Sequence, residues 1–203
     1  MPRARPDFTS AWSFSRVWAH GHGPIPDFPG VRAAMERGIA VHEWAEGNDE
    51  GLTVKPPSPH EGYCNAYKSF SYTMSPSWTH IEQPFDNGSW HGIIDRIGYL
   101  RGHDRLVMAD LKTGPGSGKE AQRRIATQLA CYAMGWDAEC YKEILRVGIY
   151  LSGDGTWKTV VYNQRSDFQA WTELLQGAMN GTQEDTKNDT QKTPPEDQRT
   201  DRR

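Results

Sequence analysis

No stretch of this 203-residue chain approaches the roughly 18 consecutive apolar residues of a membrane-crossing helix, so the integral-membrane helical classes drop out first. Cysteine is scarce. Cys64, Cys131 and Cys140 are an odd number without metal-type spacing, which argues against a disulfide framework and for buried free thiols in a reducing compartment. The opening Met1-Pro2-Arg3-Ala4-Arg5-Pro6 lacks the apolar segment of a secretory leader, from which we expect a cytoplasmic protein. A large charge of one sign is also missing: the formal net charge is −3, which does not by itself point to nucleic acid. There is no internal repeat. Two familiar motifs are nearly present and fail. In "TGPGSGKEA" (113–121) Thr113 replaces the first glycine of a P-loop and Glu120 replaces its magnesium-binding hydroxyl. In "HEWAE" (42–46) the second histidine of a zinc-protease helix is absent.

What is present suits a single α/β domain. A hydrophobic content of 36% over this length is enough for a proper core. Residues 1–30 are rich in Pro, Gly and aromatics and read as an irregular arm with one short helix around Ser10–Ala19. Apolar positions recur at helical spacing over Val31–Glu46 and Gly62–Thr73, with a Pro-rich loop between. Strands are expected over Trp78–Phe85, Trp90–Leu100 and Arg105–Lys112. The Asn-Gly of "DNGS" (86–89) joins the first two and "RGHD" (101–104) the second two. A long amphipathic helix over Lys119–Trp136 follows, then a hairpin of Ile144–Leu151 and Thr156–Tyr162, then a helix over Ser166–Met179. From Thr182 to Arg203 there is no aliphatic or aromatic residue, which predicts a disordered polar tail after a domain of residues 1–181.

The hairpins act as a ruler for chemistry. Pairing Arg101 with Asp104 sets Asp95 directly opposite Asp110, and pairing Asp86 with Ser89 sets Glu82 opposite Ile93, on the face that Asp95 shares. Asp110 and Lys112 are two apart on one strand and also share that face. Opposed carboxylates repel, and "GIID" and "VMAD" are too apolar for strands facing water. A divalent cation with oxygen ligands, Mg²⁺ or Mn²⁺ rather than zinc, is the compensation that fits. On the helices, Gly38 and His42 lie one turn apart, as do Gln128 and Tyr132. Taken alone, neither pair would be informative. Between Trp90 and Arg124, seven basic residues face four acidic ones, a local excess that permits a phosphate-binding face.

Together, "GIAVH" (38–42), Glu82, "GIIDRIG" (92–98), "ADLKTG" (109–114) and "QLACY" (128–132) resemble the PD-(D/E)xK nuclease superfamily, in particular its RecB-like branch. "RGIAVHEWAE" and the hairpin after the site are most similar to phage-encoded recombination exonucleases. Ile94 stands where the superfamily name has proline, which that branch tolerates. The iron–sulfur relatives within the branch carry four cluster cysteines, and three scattered ones here speak against a cluster.

The resemblance implies a restriction-endonuclease-like core: a central mixed sheet, with a three-stranded antiparallel meander plus further strands, flanked by helices. It implies Asp95 and Asp110 as the principal metal ligands, joined by the Leu111 carbonyl, His42 and Glu82. Lys112 would orient or deprotonate the attacking water. Gln128 and Tyr132 would position phosphate or the lysine, and Lys119, Arg123 and Arg124 would meet DNA phosphates. The activity implied is metal-dependent DNA exonuclease action at duplex ends in phage recombination, repair or replication, with a single-strand annealing protein as a partner and a homo-oligomer as a form. Two rivals stay open: a structure-specific or restriction-type endonuclease on the same fold, and a non-catalytic DNA-binding or assembly protein.

Overall fold

The computed structural model describes residues 6–24, 26–116 and 118–190, with side chains as far as Gly181. In chain order it forms α1 (Phe14–His22), α2 (Pro29–Asp49), α3 (Glu61–Met74), β1 (Ser77–Asp86), β2 (His91–Tyr99), β3 (Val107–Thr113), α4 (Lys119–Trp136), β4 (Leu145–Leu151), β5 (Trp157–Tyr162) and α5 (Ser166–Thr190). Local chemistry sets several of these limits. The Ser13 hydroxyl accepts from the Arg16 N–H at 3.3 Å and starts α1, which stops at Gly23 with φ 83°. Pro29 occupies the first turn of α2, where its missing N–H costs no hydrogen bond. α4 has the bounds its apolar spacing predicts, burying Ile125, Leu129 and Ala133 at four-residue intervals.

The five strands make one sheet in the order β1-β2-β3-β4-β5. β3 and β4 are parallel, connected across the sheet by α4, and every other neighbouring pair is antiparallel. This is the expected α/β architecture, with a mixed sheet between helices. One sheet face packs Ala109, Leu111, Val147 and Ile149 under Val41 and Trp44 of α2 and Tyr67 and Phe70 of α3. The other packs Ile94, Ile97 and Met108 under Ile125 and Leu129 of α4. α1 is held to α5 in a third cluster around Trp18 and Trp171. α5 continues past the expected end at Met179 to Thr190, so the expected polar tail begins inside a helix, and 191–203 lie outside the described residues. Cys64 and Cys131 are buried, whereas Cys140 is exposed in the turn before β4, against the expectation of three buried thiols.

Register carries the site. β2 and β3 pair as Arg96↔Ala109, Ile97↔Met108 and Gly98↔Val107, the expected frame, and its next step sets Asp95 across from Asp110. The first hairpin differs by two residues. Asp86 pairs with His91, not Ser89, because the Asn87 side chain accepts from the N–H groups of Ser89 and Trp90 and closes a longer loop. Glu82 consequently lies between the pairs Ile81↔Arg96 and Gln83↔Ile94, opposite Asp95 rather than Ile93. A shift of two keeps every residue on its face, where a shift of one would have reversed them all.

Candidate active site and metal centre

The site forms where the β2–β3 ladder gives out. Beyond Arg96↔Ala109, the backbone of Leu111 is met by side chains: its N–H donates to Asp95 Oδ2 at 2.7 Å, and its carbonyl accepts from His42 Nε2 at 2.9 Å. A carbonyl can only accept, so Nε2 carries the hydrogen and Nδ1 is the nitrogen turned toward the acids. It lies 3.6 Å from Asp95 Oδ2 and 3.8 Å from Glu82 Oε1. Among the described residues, His42, Glu82 and Asp95 each offer a ligand atom, all within 4.8 Å of one another. Glu82 reaches this position through a left-handed backbone, φ 47°, which breaks the alternation of β1. For a glutamate that conformation costs on the order of 1–3 kcal/mol.

Asp110 and Lys112 form the second half of the site. Lys112 Nζ stands 2.8 Å from Asp110 Oδ1 and 2.7 Å from Oδ2, and the carboxylate is 2% exposed against 33% for the lysine. Oδ2 is buried without a well-directed hydrogen bond in spite of that contact. Burial raises the Asp110 pKa to about 6 against the pull of the Lys112 ammonium. For Lys112, burial works against the charge, but Asp110 and Asp95 outweigh it and raise its pKa. In the absence of a cation Lys112 is therefore an ammonium. His42 follows the same logic: burial opposes the proton, while Asp95 and Glu82 hold its pKa above the ordinary imidazole value. A cation entering this cluster takes the place of that proton. Two clustered carboxylates, an imidazole nitrogen, a backbone carbonyl and an under-satisfied buried carboxylate oxygen suit a hard divalent ion.

A groove of about 760 Å³ opens onto His42, Leu111 and Lys112, with Phe28 just before α2, Met35 of α2, and Arg124 and Gln128 of α4 among its lining. Gln128 Nε2 donates to the Tyr132 hydroxyl at 3.1 Å, so the i,i+4 pair meets as its spacing predicts. Tyr132 packs over Gly92, where a Cβ would stand 2.7 Å from its ring. Burial, with the Asp110 and Asp95 charges beyond it, keeps Tyr132 a neutral phenol. The three basic residues named at the start of α4 do not line one groove. Arg124 lines the groove, Arg123 lines separate clefts with Thr127, Ala170 and Glu173, and Lys119 is exposed and outside the groove.

The sequence reading missed two further residues. Arg96, fully buried, donates from Nη1 to Glu82 Oε1 at 3.0 Å and to the Asp95 carbonyl at 2.7 Å. Its Nε donates to Asp49 Oδ2 at 2.6 Å. Asp49 also accepts from the Tyr67 hydroxyl at 2.6 Å, which in turn accepts from Trp78 Nε1 at 3.2 Å. Asp49 is seven residues, two turns, from His42 and so shares its face of α2, but a charged residue at a helix end reads as solvated.

No helix among the described residues is long and apolar enough to cross a membrane. Among solved structures, the chain is similar to an alkaline exonuclease from Laribacter hongkongensis, with 11% identity and a TM-score of 0.47 over 89% of this chain and 92% of that one. No curated protein sequence matches it. The model of the PD-(D/E)XK nuclease superfamily matches residues 61–197, a span that holds Glu82, Asp95, Asp110, Lys112, Gln128 and Tyr132 and begins after His42. With two thirds of its length matched, the chain belongs to the PD-(D/E)XK nuclease superfamily.

Proposed function

We propose that this nuclease is a Mg²⁺- or Mn²⁺-dependent DNA exonuclease acting at duplex ends, in the cytoplasm, in DNA recombination, repair or replication of the phage type. The observation that carries the reading is the Lys112 ammonium. It is held within 2.8 Å of buried Asp110, next to the Asp95–Glu82–His42 cluster, at the base of an open groove. Asp95, Asp110, Glu82, His42 and the Leu111 carbonyl would hold the cation. When bound, the cation supplies an acidified water and neutralises charge on the phosphate oxygens. The chain's own groups do the rest. Lys112 orients the water and meets the charge that builds on the phosphate as the new P–O bond forms. The attacking water's proton passes to solvent, the old ester P–O bond breaks, and its sugar oxygen takes up a proton from a solvent water. Arg124 and Gln128 hold the flanking backbone, and Tyr132 fixes Gln128.

The test follows cleavage of linear and covalently closed duplex DNA with Mg²⁺, beside EDTA and Asp110→Ala controls. Loss of the linear form alone, abolished in both controls, is the expected result. Nicking of the closed circle would move the protein to the endonucleases. Binding without cleavage of either would favour a non-catalytic assembly role.

A further inference from the structure

We propose that Arg96 is a positioning residue that fixes Glu82 toward the cation site from behind the sheet, with Asp49 as the counter-charge that leaves the Glu82 carboxylate free to bind. The inference rests on the metal-site reading and adds a layer to it.

Arg96 follows Asp95 in β2, so strand alternation sends its side chain to the opposite face, under α2 and α3. From there Nη1 reaches Glu82 and the Asp95 carbonyl together, gripping one presumptive ligand by its side chain and the other by its backbone. Glu82 is the member of the cluster that departs from regular strand geometry, and Arg96 is the buried group that meets its carboxylate there. Stability alone is a poor reason for this arrangement. Arg96 Nη2 is buried without a hydrogen-bond partner, and a buried ion-pair network is commonly no more stable than an apolar replacement.

Asp49 makes the arrangement compatible with binding a cation. An arginine on its own beside Glu82 would cancel the carboxylate's charge and repel a divalent ion. Asp49, with its side chain 4% exposed and 2.6 Å from Arg96 Nε, offsets that charge locally, so the site keeps the negative charge of Glu82 and Asp95. α2 thereby touches the site twice, through His42 at Leu111 and through Asp49 at Arg96.

The test is Mn²⁺ affinity, by isothermal titration and by Mn²⁺ paramagnetic resonance, on the full chain without DNA. Arg96→Lys keeps the charge but has no planar fork to reach three acceptors, and should weaken Mn²⁺ about ten-fold. Asp49→Asn keeps an acceptor for Tyr67, lies outside the site, and should weaken Mn²⁺ by several fold. The discriminating step repeats Arg96→Lys in a Glu82→Gln background. There a positioning residue that acts through Glu82 has nothing left to position, and no further loss should appear. Unchanged affinity in both single variants would overturn the inference. So would an equal loss with and without Glu82, which would mark Arg96 as part of the scaffold. A wild type that binds no Mn²⁺ would overturn the metal site itself, and with it this step. Should Arg96→Lys fail to fold, Asp49→Asn with and without Glu82→Gln answers the same question.

Discussion

Replacing Asp110 by asparagine should abolish cleavage and at the same time stabilise the metal-free fold. Asp110 is almost wholly buried, and burial raises its pKa from 3.8 to about 6 despite the neighbouring Lys112. At about 1.4 kcal/mol per pH unit, the ionised form is about 3 kcal/mol less favourable in the fold than in the unfolded chain. The sign follows from proton counts. Between pH 3.8 and about 6 the folded chain holds the extra proton, so stability falls as pH rises through that window and stays low above it. Asparagine occupies the same volume without the charge. The attraction of Lys112 is already contained in that pKa, so its loss takes nothing further from the gain. The net expectation at pH 8, in EDTA, is a stabilisation of about 1–3 kcal/mol, read as a higher urea midpoint at unchanged m. By about pH 5 the difference should fall to roughly half, because wild-type Asp110 is then mostly protonated. Saturating Mn²⁺ should raise the wild type and not the variant. An Asp110→Asn protein that is less stable than wild type at pH 8, by an amount that does not change with pH, would refute the electrostatic account.

Three further outcomes follow from the same geometry. Cation affinity should rise as pH climbs through about 6 and on past the ordinary imidazole range, since Asp110 and His42 both hold raised pKa values and must release protons to a ligand role; proton release during Mn²⁺ titration in two buffers measures this. Arg124→Ala should lower DNA affinity and reduce the dependence of binding on salt by about one phosphate contact, while Arg123→Ala leaves that slope unchanged; fluorescence anisotropy across a salt series separates them. Gly62→Ala should destabilise the fold by about 2 kcal/mol or more, because its Cβ would lie 1.7 Å from the Gly153 carbonyl oxygen, and thermal melting followed by circular dichroism reads the cost.

The parts of the site that depend on period were legible in the sequence. A strand period of two put Asp110 and Lys112 side by side, and a short turn fixed the β2–β3 frame that ends at Arg96↔Ala109 and brings Asp95 to the Leu111 N–H. What failed was decided by side chains in turns. Asn87 and Asp86 bond the loop backbone and lengthen the first hairpin, which no alternation pattern records. The basic residues at the start of α4 face different ways for another reason. "KEAQRR" looks like one patch in sequence, but successive helix residues diverge by about 100°. Arg124 and Gln128 are spaced by four and line the groove, while Arg123 and Thr127 form the neighbouring stripe toward other clefts. Carrying the wheel one step further would have separated them.

Arg96 and Asp49 were illegible for a different cause, and it bears on how this fold builds its site. Charged residues in a sequence default to solvated faces, and Asp49 at the end of α2 reads as an ordinary helix terminus. Its role appears only once α2 lies across the sheet, because the network joins side chains from α2, α3, β1 and β2 that are separated by up to 47 residues. Such an arrangement couples binding to folding. The carboxylates repel in the absence of a cation, Glu82 holds a left-handed backbone, and Asp110 is charged in a buried setting. The apolar clusters on both sheet faces, with Leu111, Ile149, Met108 and Leu129 fully buried, must therefore supply the stability that the site consumes. A cation relieves the two electrostatic tensions together, so the site gains the most on binding. Amide exchange should then show protection rising at Leu111, Glu82 and Arg96 on addition of Mn²⁺ while α5 changes little. A uniform rise across the chain would mean that the cation stabilises the fold globally and that the site carries no local strain.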